Sequence, residues 1–395
     1  MSTATGRDAP LTATDLSERA RQLFPVFRKL ARQADEGRHL PVEMVEAYAE
    51  AGFVRTLVPT RWGGLGLGFT EALDVIAEIA KASGSMGWVG SFWIDHPHWV
   101  ALYPEDALRD VWSAGPDVRI ATSFVPVGRV TAVEGGWLLS GEWAWASGVG
   151  HSDWVMLGGL IMSGDGPPTN ALFLVPTSEI TVVDTWYSAG LRGSGSDNVV
   201  ADQVFVPHHR ILPMEAVREG RAPGALAYPS PVLTAPLMTH AGYAMVAPAI
   251  GIARGVIEEW ESSARSKVHS YTKEQVAAAL PMQLQISEST ALVDAAEMLV
   301  RACLARVESG EPLGLEQRVR NRRDISFAAR LITRAVDDLM QMAGASALRD
   351  ESPIQRGWRD VRAISSHVML NVNAAGENFG RMRLGLPLNP RDPFF

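Results

Sequence analysis

Histidine and serine side chains in three segments of the sequence have the chemistry that proton transfer requires. His367 follows segment 359–366 (Arg-Asp-Val-Arg-Ala-Ile-Ser-Ser), and His96 lies in the aromatic segment 87–99. Ser147 ends segment 143–147 (Trp-Ala-Trp-Ala-Ser), where its hydroxyl could both donate and accept hydrogen bonds. Histidine titrates near neutrality, so both histidines could act as acid or base without a large pKa shift. A purely structural role is the alternative for each, because isolated histidines are more often structural than catalytic.

His96 and His98 also have the His-x-His spacing that occurs in metal sites. No cysteine or glutamate stands beside them to complete a ligand set, although Asp95 is adjacent. The chain has one cysteine, Cys303, so an intramolecular disulfide and a cysteine metal cluster are excluded. We therefore predict no metal site, a structural role for His98 and a buried position for Cys303.

The composition describes a globular protein with a net negative charge. Of the 395 residues, 47% are hydrophobic and 20% are charged, and the formal net charge is −8. This charge argues against nucleic acid as a partner, because phosphate backbones repel it. The polar N-terminal residues predict no signal peptide, and the apolar stretch 235–257 is interrupted by prolines, His240 and Arg254, which argues against a membrane span. We expect a cytoplasmic enzyme.

The elements that must position these residues change in type along the chain. Apolar residues at helical spacing predict helices over residues 16–34, 41–52, 69–82 and 105–112. Residues 118–206 are rich in strand formers, with a hairpin signal at Glu134-Gly135-Gly136 and further strands at 154–157, 171–175 and 199–206. Short, regularly spaced strands of this kind are typical of a small barrel or sandwich.

Helical patterns return in the last part of the sequence. Residues 276–307 and 318–342 carry apolar residues on one face and are followed by Gly310 and Gly344. Long helices joined by short loops predict an antiparallel bundle. We therefore expect an α+β protein with an N-terminal helical domain (1–117), a central small β-barrel or sandwich (118–228) and a C-terminal helical bundle (229–395).

This order of elements resembles the acyl-CoA dehydrogenase superfamily, whose C-terminal domain is a four-helix bundle. Three motifs carry the resemblance, which spans nearly the whole chain: segment 143–148, segment 191–197 (Leu-Arg-Gly-Ser-Gly-Ser-Asp) and the Arg-Asp pair at 359–360. In many of the dehydrogenases, a similar Arg-Asp segment leads to a glutamate that removes a substrate proton. Here that stretch has His367 and Val368 and no carboxylate, and segment 241–252, the alternative glutamate position, has none either.

Segments 87–97 and 367–387 are similar to one branch of the superfamily, the oxygenase components of two-component flavin-dependent monooxygenases. That branch includes hydroxyphenylacetate hydroxylase, a phenol hydroxylase of steroid degradation and dibenzothiophene monooxygenase. The resemblance implies a reduced cofactor, FMNH2 or FADH2, that a separate NAD(P)H-dependent flavin reductase supplies. Oxygen (O2) then adds at flavin C4a, and the hydroperoxide passes one oxygen atom to an aromatic, phenolic or polycyclic substrate. It also implies a homotetramer.

The same resemblance assigns roles to individual residues. His367, His96 and Ser147 are the catalytic candidates, with Ser147 at flavin N5 and the histidines managing the proton of the substrate or peroxide. The residues expected to contact the cofactor are Ser123, Trp145, Ser147, Arg192, Ser194, Gly344 and Ser346, the last two across a subunit boundary. Two alternatives stay open: a dehydrogenase-type flavin oxidoreductase, which the absent glutamate disfavours, and a non-catalytic ligand-binding member of the same fold.

Overall fold

A computed structural model describes residues 11–162, 166–269 and 271–392 as helices, a sheet and a second set of helices. Residues 1–10, which contribute to the expectation of no signal peptide, lie outside this range. The first helix begins early because the Thr12 side chain accepts a hydrogen bond from Asp15 N, and the Asp15 carboxylate accepts one from Thr12 N. The N-terminal helices are α1 (Ala13–Gly37), α2 (Val42–Glu50), α3 (Phe69–Ala82), α4 (Gly84–Val100) and α5 (Glu105–Trp112).

The four helices expected in this part are confirmed, and α3 and α5 have the predicted bounds. Helix α4 was not expected. Almost all of its residues are buried, so it lacks the polar face that marks an amphipathic helix in a sequence. It also contains three glycines and Pro97, which lower helix propensity. This helix carries His96.

Seven strands form one sheet in the order β5-β6-β2-β1-β3-β4-β7. Strands β1 and β3 are parallel and the other neighbours are antiparallel. The predicted hairpin is confirmed between β1 and β2. In place of the expected small barrel or sandwich, the strands form this one continuous sheet. The strands are β1 (Ile120–Val133), β2 (Gly136–Ala146), β3 (Trp154–Ile161), β4 (Thr169–Pro176), β5 (Thr181–Val183), β6 (Asp197–Pro207) and β7 (Ile211–Pro213).

The C-terminal part contains the predicted bundle. Helices α9 to α12 pack on one another, and α13 packs on α11. Helix α10 starts later than expected, at Leu280, because Pro281 suits a first helical turn and residues 276–278 form a separate turn. The helices are α6 (Met214–Arg218), α7 (Pro223–Ala227), α8 (Pro231–Thr234), α9 (Tyr243–Ser266), α10 (Leu280–Glu308), α11 (Leu315–Met342), α12 (Pro353–Ser365) and α13 (Val372–Arg383).

The N-terminal and C-terminal helices share one hydrophobic core. Helix α3 packs along α9, so Ile76 and Val246 belong to the same buried cluster, and Cys303 is buried there as predicted. In the part of the chain that the structure describes, all strands lie between residues 120 and 213, inside the expected central segment. The domain boundaries near residues 117 and 228 stay predictions. Within the described residues, no helix is both long enough and apolar enough to cross a membrane.

Candidate active site

A row of aromatic side chains on α4 forms one wall of the site. Trp88, Phe92 and His96 are spaced four residues apart, which places them on one helix face. The Trp88 and Phe92 rings meet edge to face with their centres 4.8 Å apart, and Phe92 stacks on His96 at 5.2 Å. The packing locks His96 in a buried position with only 2% of its surface exposed.

Ser147 lies at the end of β2, against Trp88. The Trp88 indole Nε1 donates a hydrogen bond of 3.0 Å to the Ser147 Oγ atom. This approach depends on Gly148, which has a φ of +68°, because a Cβ atom there would lie 2.5 Å from Val89 Cγ1 of α4. The predicted serine is therefore held close to the aromatic row.

A chain of hydroxyl groups connects Ser147 to the glycine-rich loop 192–196. Ser147 Oγ lies 2.7 Å from Ser196 Oγ, which lies 2.7 Å from Ser194 Oγ. In addition, Gly148 N donates to the Ser194 carbonyl oxygen at 2.9 Å. When Ser194 and Ser196 donate towards Ser147, the Ser147 proton is free to reach a ligand.

His367 also lies near Trp88, in the turn after α12. The two rings are 6.3 Å apart, so Trp88 is the neighbour that Ser147 and His367 have in common. His367 also lines a cavity of about 390 Å³ between α11 and the turn. Arg330, Thr333, Ser366 and Asn371 give this cavity polar walls. Its volume falls within the range of small-molecule sites, so a ligand could reach His367 from this side.

The two histidines have opposite hydrogen-bonding states. His96 Nδ1 lies 2.5 Å from the Ile120 carbonyl oxygen, which can only accept, so Nδ1 carries the proton and Nε2 has a free lone pair. In His367, Nδ1 accepts a hydrogen bond of 3.2 Å from Met369 N, so the neutral ring carries its proton on Nε2. His96 can therefore accept a proton, and His367 can donate a hydrogen bond.

Burial lowers the pKa of both histidines to about 4. The expectation that they act without a large pKa shift is therefore wrong: both rings are neutral at pH 7. Their chemistry depends on which nitrogen carries the proton rather than on an equilibrium near neutrality.

Two predicted cofactor residues lie next to Ser147 along the strands. Ser123 is buried in β1, and its hydroxyl donates to the Ala144 carbonyl oxygen of β2 at 2.9 Å. Trp145 is 66% exposed and has a φ of +67°, where the register of β2 and β6 shifts. Such a conformation is rare for a bulky residue and marks strained positions that often belong to functional sites.

Among the other predicted cofactor residues, Ser194 lies near Ser147, whereas Arg192, Gly344 and Ser346 do not contact Ser147 within this subunit. The Arg192 guanidinium donates to the carbonyl oxygens of Asp35 (3.1 Å) and Ser188 (3.2 Å), so it ties its loop to α1. Gly344 and Ser346 are exposed beyond α11, and Ser346 Oγ accepts a hydrogen bond of 2.7 Å from Lys267 Nζ. Their predicted role requires a partner subunit.

Sequence reasoning missed Trp88, Phe92 and Ser196 as members of the site. The i, i+4, i+8 spacing of aromatic residues from Trp88 to His96 indicates one shared helix face, but only once the segment is assigned to a helix. Ser196 stood in the quoted loop beside Ser194, and only the folded loop shows that Ser196 is the one that meets Ser147.

A second group of buried polar residues surrounds Phe69, behind this site. The Phe69 ring lies 5.0 Å from His98, 4.6 Å from His240 and 4.9 Å from Tyr243. Asp95 lies near Tyr243, and burial raises the pKa of Asp95 to about 6. His96 and His98 thus face different surroundings, and no group of three or more His, Cys, Asp or Glu side chains in the described residues could hold a metal ion.

The buried histidine at 240 should make the protein sensitive to acid. Burial lowers the His240 pKa to about 3, so between pH 6.5 and 3 the unfolded chain binds more protons and stability is lost as the pH falls. We expect His240→Phe, which keeps a ring on Phe69, to gain about 1.4 kcal/mol per pH unit relative to the wild type below pH 6. Urea unfolding at pH 7, 6, 5 and 4.5 measures this difference. The variant His208→Phe, at an exposed histidine, is the control, and a pH-independent difference for His240→Phe would contradict the expectation.

Comparison with known proteins identifies the family. The chain matches the N-terminal domain of acyl-CoA dehydrogenases over residues 14–103 and the C-terminal domain over residues 243–372. It is 33% identical to the flavin-dependent monooxygenase oxygenase subunit HsaA of Rhodococcus jostii (strain RHA1), covering 94% of this chain and 98% of that protein. It is 34% identical to the oxygenase component of the FADH2-dependent resorcinol hydroxylase of Rhizobium sp. (strain MTP-10005), covering 91% and 92%.

Structural similarity leads to the same group. The crystal structure of 3-HSA hydroxylase from Rhodococcus sp. RHA1 aligns with a TM-score of 0.88 and 33% identity, covering 95% of this chain and 98% of that one. The fold and the site together define a member of the acyl-CoA dehydrogenase superfamily. Within it, the chain belongs to the oxygenase components of flavin-dependent monooxygenases.

Proposed function

We propose that this protein hydroxylates an aromatic, phenolic or polycyclic, substrate with reduced flavin, FMNH2 or FADH2, supplied by a separate NAD(P)H-dependent reductase. One observation carries the proposal: Trp88 contacts Ser147 through a hydrogen bond of 3.0 Å and lies 6.3 Å from His367. A hydroxyl group and an imidazole therefore flank one aromatic side chain. Use of NAD(P)H by the reductase supports a cytoplasmic location.

The residues around Ser147 suit a flavin ring. The ring system needs a flat apolar surface and a hydrogen-bond partner at N5, and the exposed indole of Trp145 and the hydroxyl group of Ser147 would offer these. Ser123 and Ser194 would lie along the edge that the strand and loop provide. When bound, reduced flavin would supply the two electrons that activate O2, and the transferred oxygen atom would come from that O2.

The chain's own residues then have separate tasks. His96 Nε2 would accept the phenolic proton of the substrate, because electron release from the oxygen activates the ring for attack. His367 Nε2–H would donate a hydrogen bond to the oxygen that is to be transferred or released. Phe92 and Trp88 would hold the substrate ring and keep water away from these atoms.

Reconstitution tests this function directly. In the absence of oxygen, we expect the protein to bind reduced FMN or FAD more tightly than the oxidised form, as measured by equilibrium dialysis. With a flavin reductase, NADH and O2, it should convert simple phenols to catechols with one oxygen atom from ¹⁸O2. Oxidation of NADH by this chain alone, or product oxygen that comes from water, would contradict the proposal.

We also propose a homotetramer, in which Gly344 and Ser346 complete the flavin site of a neighbouring subunit. One face of α10 supports an interface: it exposes Leu280, Leu284 and Met298, each by more than 60%, together with several alanines. Monomeric soluble proteins rarely expose a continuous apolar stripe of this kind.

The α10 face gives a prediction about assembly. Leu284→Asp combined with Met298→Asp should reduce the molar mass in solution from that of a tetramer to that of a dimer or monomer at micromolar concentration. Two buried charges at an interface cost several kcal/mol, which corresponds to more than a hundredfold weaker association. Light scattering after size-exclusion chromatography measures the mass, with Val42→Asp, at an equally exposed apolar residue of α2, as the control. A monomeric wild type would refute the interface.

A further inference from the structure

We propose that Asp360 is a positioning residue for the Ser147 hydroxyl, acting through the loop 190–196. The inference rests on the proposed function only where it concerns what Ser147 does. The linkage between Asp360 and Ser147 stands on contacts within this chain.

The first contact joins Asp360 to the start of the loop. Asp360 lies in the middle of α12, is 2% exposed, and its Oδ1 accepts a hydrogen bond of 2.6 Å from Leu191 N. Leu191 has a φ of +51°, a left-handed conformation that is unfavourable for leucine and needs support from its surroundings. A buried carboxyl oxygen that accepts a hydrogen bond from the Leu191 amide provides such support.

Close packing around Asp360 leaves the loop little freedom. A Cβ atom at Gly190 would lie 2.0 Å from the Arg359 carbonyl oxygen, and one at Gly84 would lie 2.3 Å from Asp360 Oδ2. Arg359 also donates to the Ala189 carbonyl oxygen at 2.6 Å. The carboxylate is therefore enclosed between the loop and the first residue of α4.

Hydrogen bonds then connect the loop to Ser147 and Gly148. Ser194 N donates to the Leu191 carbonyl oxygen at 3.0 Å, and the Ser194 carbonyl oxygen accepts from Gly148 N at 2.9 Å. Through Ser196, the same loop contacts the Ser147 hydroxyl at 2.7 Å. Two independent hydrogen bonds thus connect residues 147–148 to a loop whose first turn is bound by Asp360.

Helix α12 would therefore position both Ser147 and His367. Asp360 in its middle holds the loop that contacts Ser147, and the turn after its last residue, Ser365, carries His367. One rigid helix can keep the hydroxyl and the imidazole in register beside Trp88. Asp360 of the Arg-Asp pair would thus position the loop, a role that does not depend on the glutamate found in dehydrogenases.

The linkage is tested first in the protein without flavin, by hydrogen–deuterium exchange. Asp360→Ala should raise the exchange rates of the amides of Leu191, Ser194 and Gly148 at least tenfold. The strand β3, which is paired with β1 and β4, should be unchanged. Asp360→Asn keeps an oxygen that can accept from Leu191 N and should restore exchange close to the wild-type rates. Asp337→Ala is the matched control, because Asp337 binds α12 through Trp358 and Arg362 but not the loop.

A double-mutant cycle tests the consequence for the reaction, with hydrogen peroxide released per product as the measure. Ser147→Ala and Asp360→Ala should each raise this ratio roughly two- to thirteenfold, the effect of one lost hydrogen bond. The double variant should be no worse than Ser147→Ala alone, because both changes act on one interaction. Additive effects, or uniform exchange in all segments, would overturn the role of Asp360. If Ser147→Ala leaves the ratio unchanged, the proposed function of Ser147 fails, and the exchange rates alone then support or refute the linkage.

Discussion

His96→Asn should lower the rate of substrate hydroxylation by ~10²–10⁴-fold, the usual contribution of a general base. Asparagine can place its side-chain nitrogen where His96 Nδ1 donates to the Ile120 carbonyl oxygen, so the buried hydrogen bond is kept. The variant lacks the Nε2 lone pair that would accept the phenolic proton. Binding of reduced flavin should stay near the wild-type level, and the lost product should be recovered as hydrogen peroxide. Product and peroxide are measured together in a single-turnover experiment.

The pH dependence of this variant separates a lost base from a damaged site. A phenol ionises without help at high pH, with a pKa near 10 for an ordinary phenol, so the rate of His96→Asn should rise about tenfold per pH unit up to that value. The wild-type rate should be nearly flat over the same range. A variant that is equally slow at every pH would show that His96 holds the structure and does not take the proton.

His367→Asn should lower the yield of hydroxylated product by a similar ~10²–10⁴-fold, but without recovery at high pH. The asparagine oxygen can still accept from Met369 N and keep the turn, whereas the Nε2–H donor is lost. His367→Gln is the matched control, because its longer side chain can return an N–H group to the Nε2 position. We expect the glutamine variant to regain a large part of the coupling between oxygen use and product.

The comparison of these two variants also decides between alternative assignments. If high pH rescues His367→Asn and not His96→Asn, the roles of the two histidines are reversed. If both variants keep the wild-type ratio of product to peroxide, the site around Trp88 is not where the substrate reacts. Flavin binding should be measured for each variant, because weaker cofactor binding would also lower the product yield.

Much of the fold follows from patterns that are local in the sequence. Helices α3 and α5 have strong apolar periodicity, and the Glu134-Gly135-Gly136 turn specifies its hairpin, so both are readable without tertiary information. Helix α4 is the opposite case. Its burial on nearly all sides removes the polar face, and it exists because neighbouring helices and the sheet enclose it.

Residue types and motifs alone indicated the candidate reactive groups: Ser147 in its tryptophan segment, and His367 where related dehydrogenases have glutamate. Their protonation states, by contrast, depend on the folded chain. Burial lowers the pKa of His96 and His367 to about 4. The Ile120 carbonyl oxygen, 24 residues from His96, and the Met369 amide in the turn after α12 leave opposite nitrogens protonated. A pKa and a tautomer depend on desolvation and on hydrogen-bond partners that the folded chain brings together. A local pattern of residue types contains neither the extent of desolvation nor the identity of those partners.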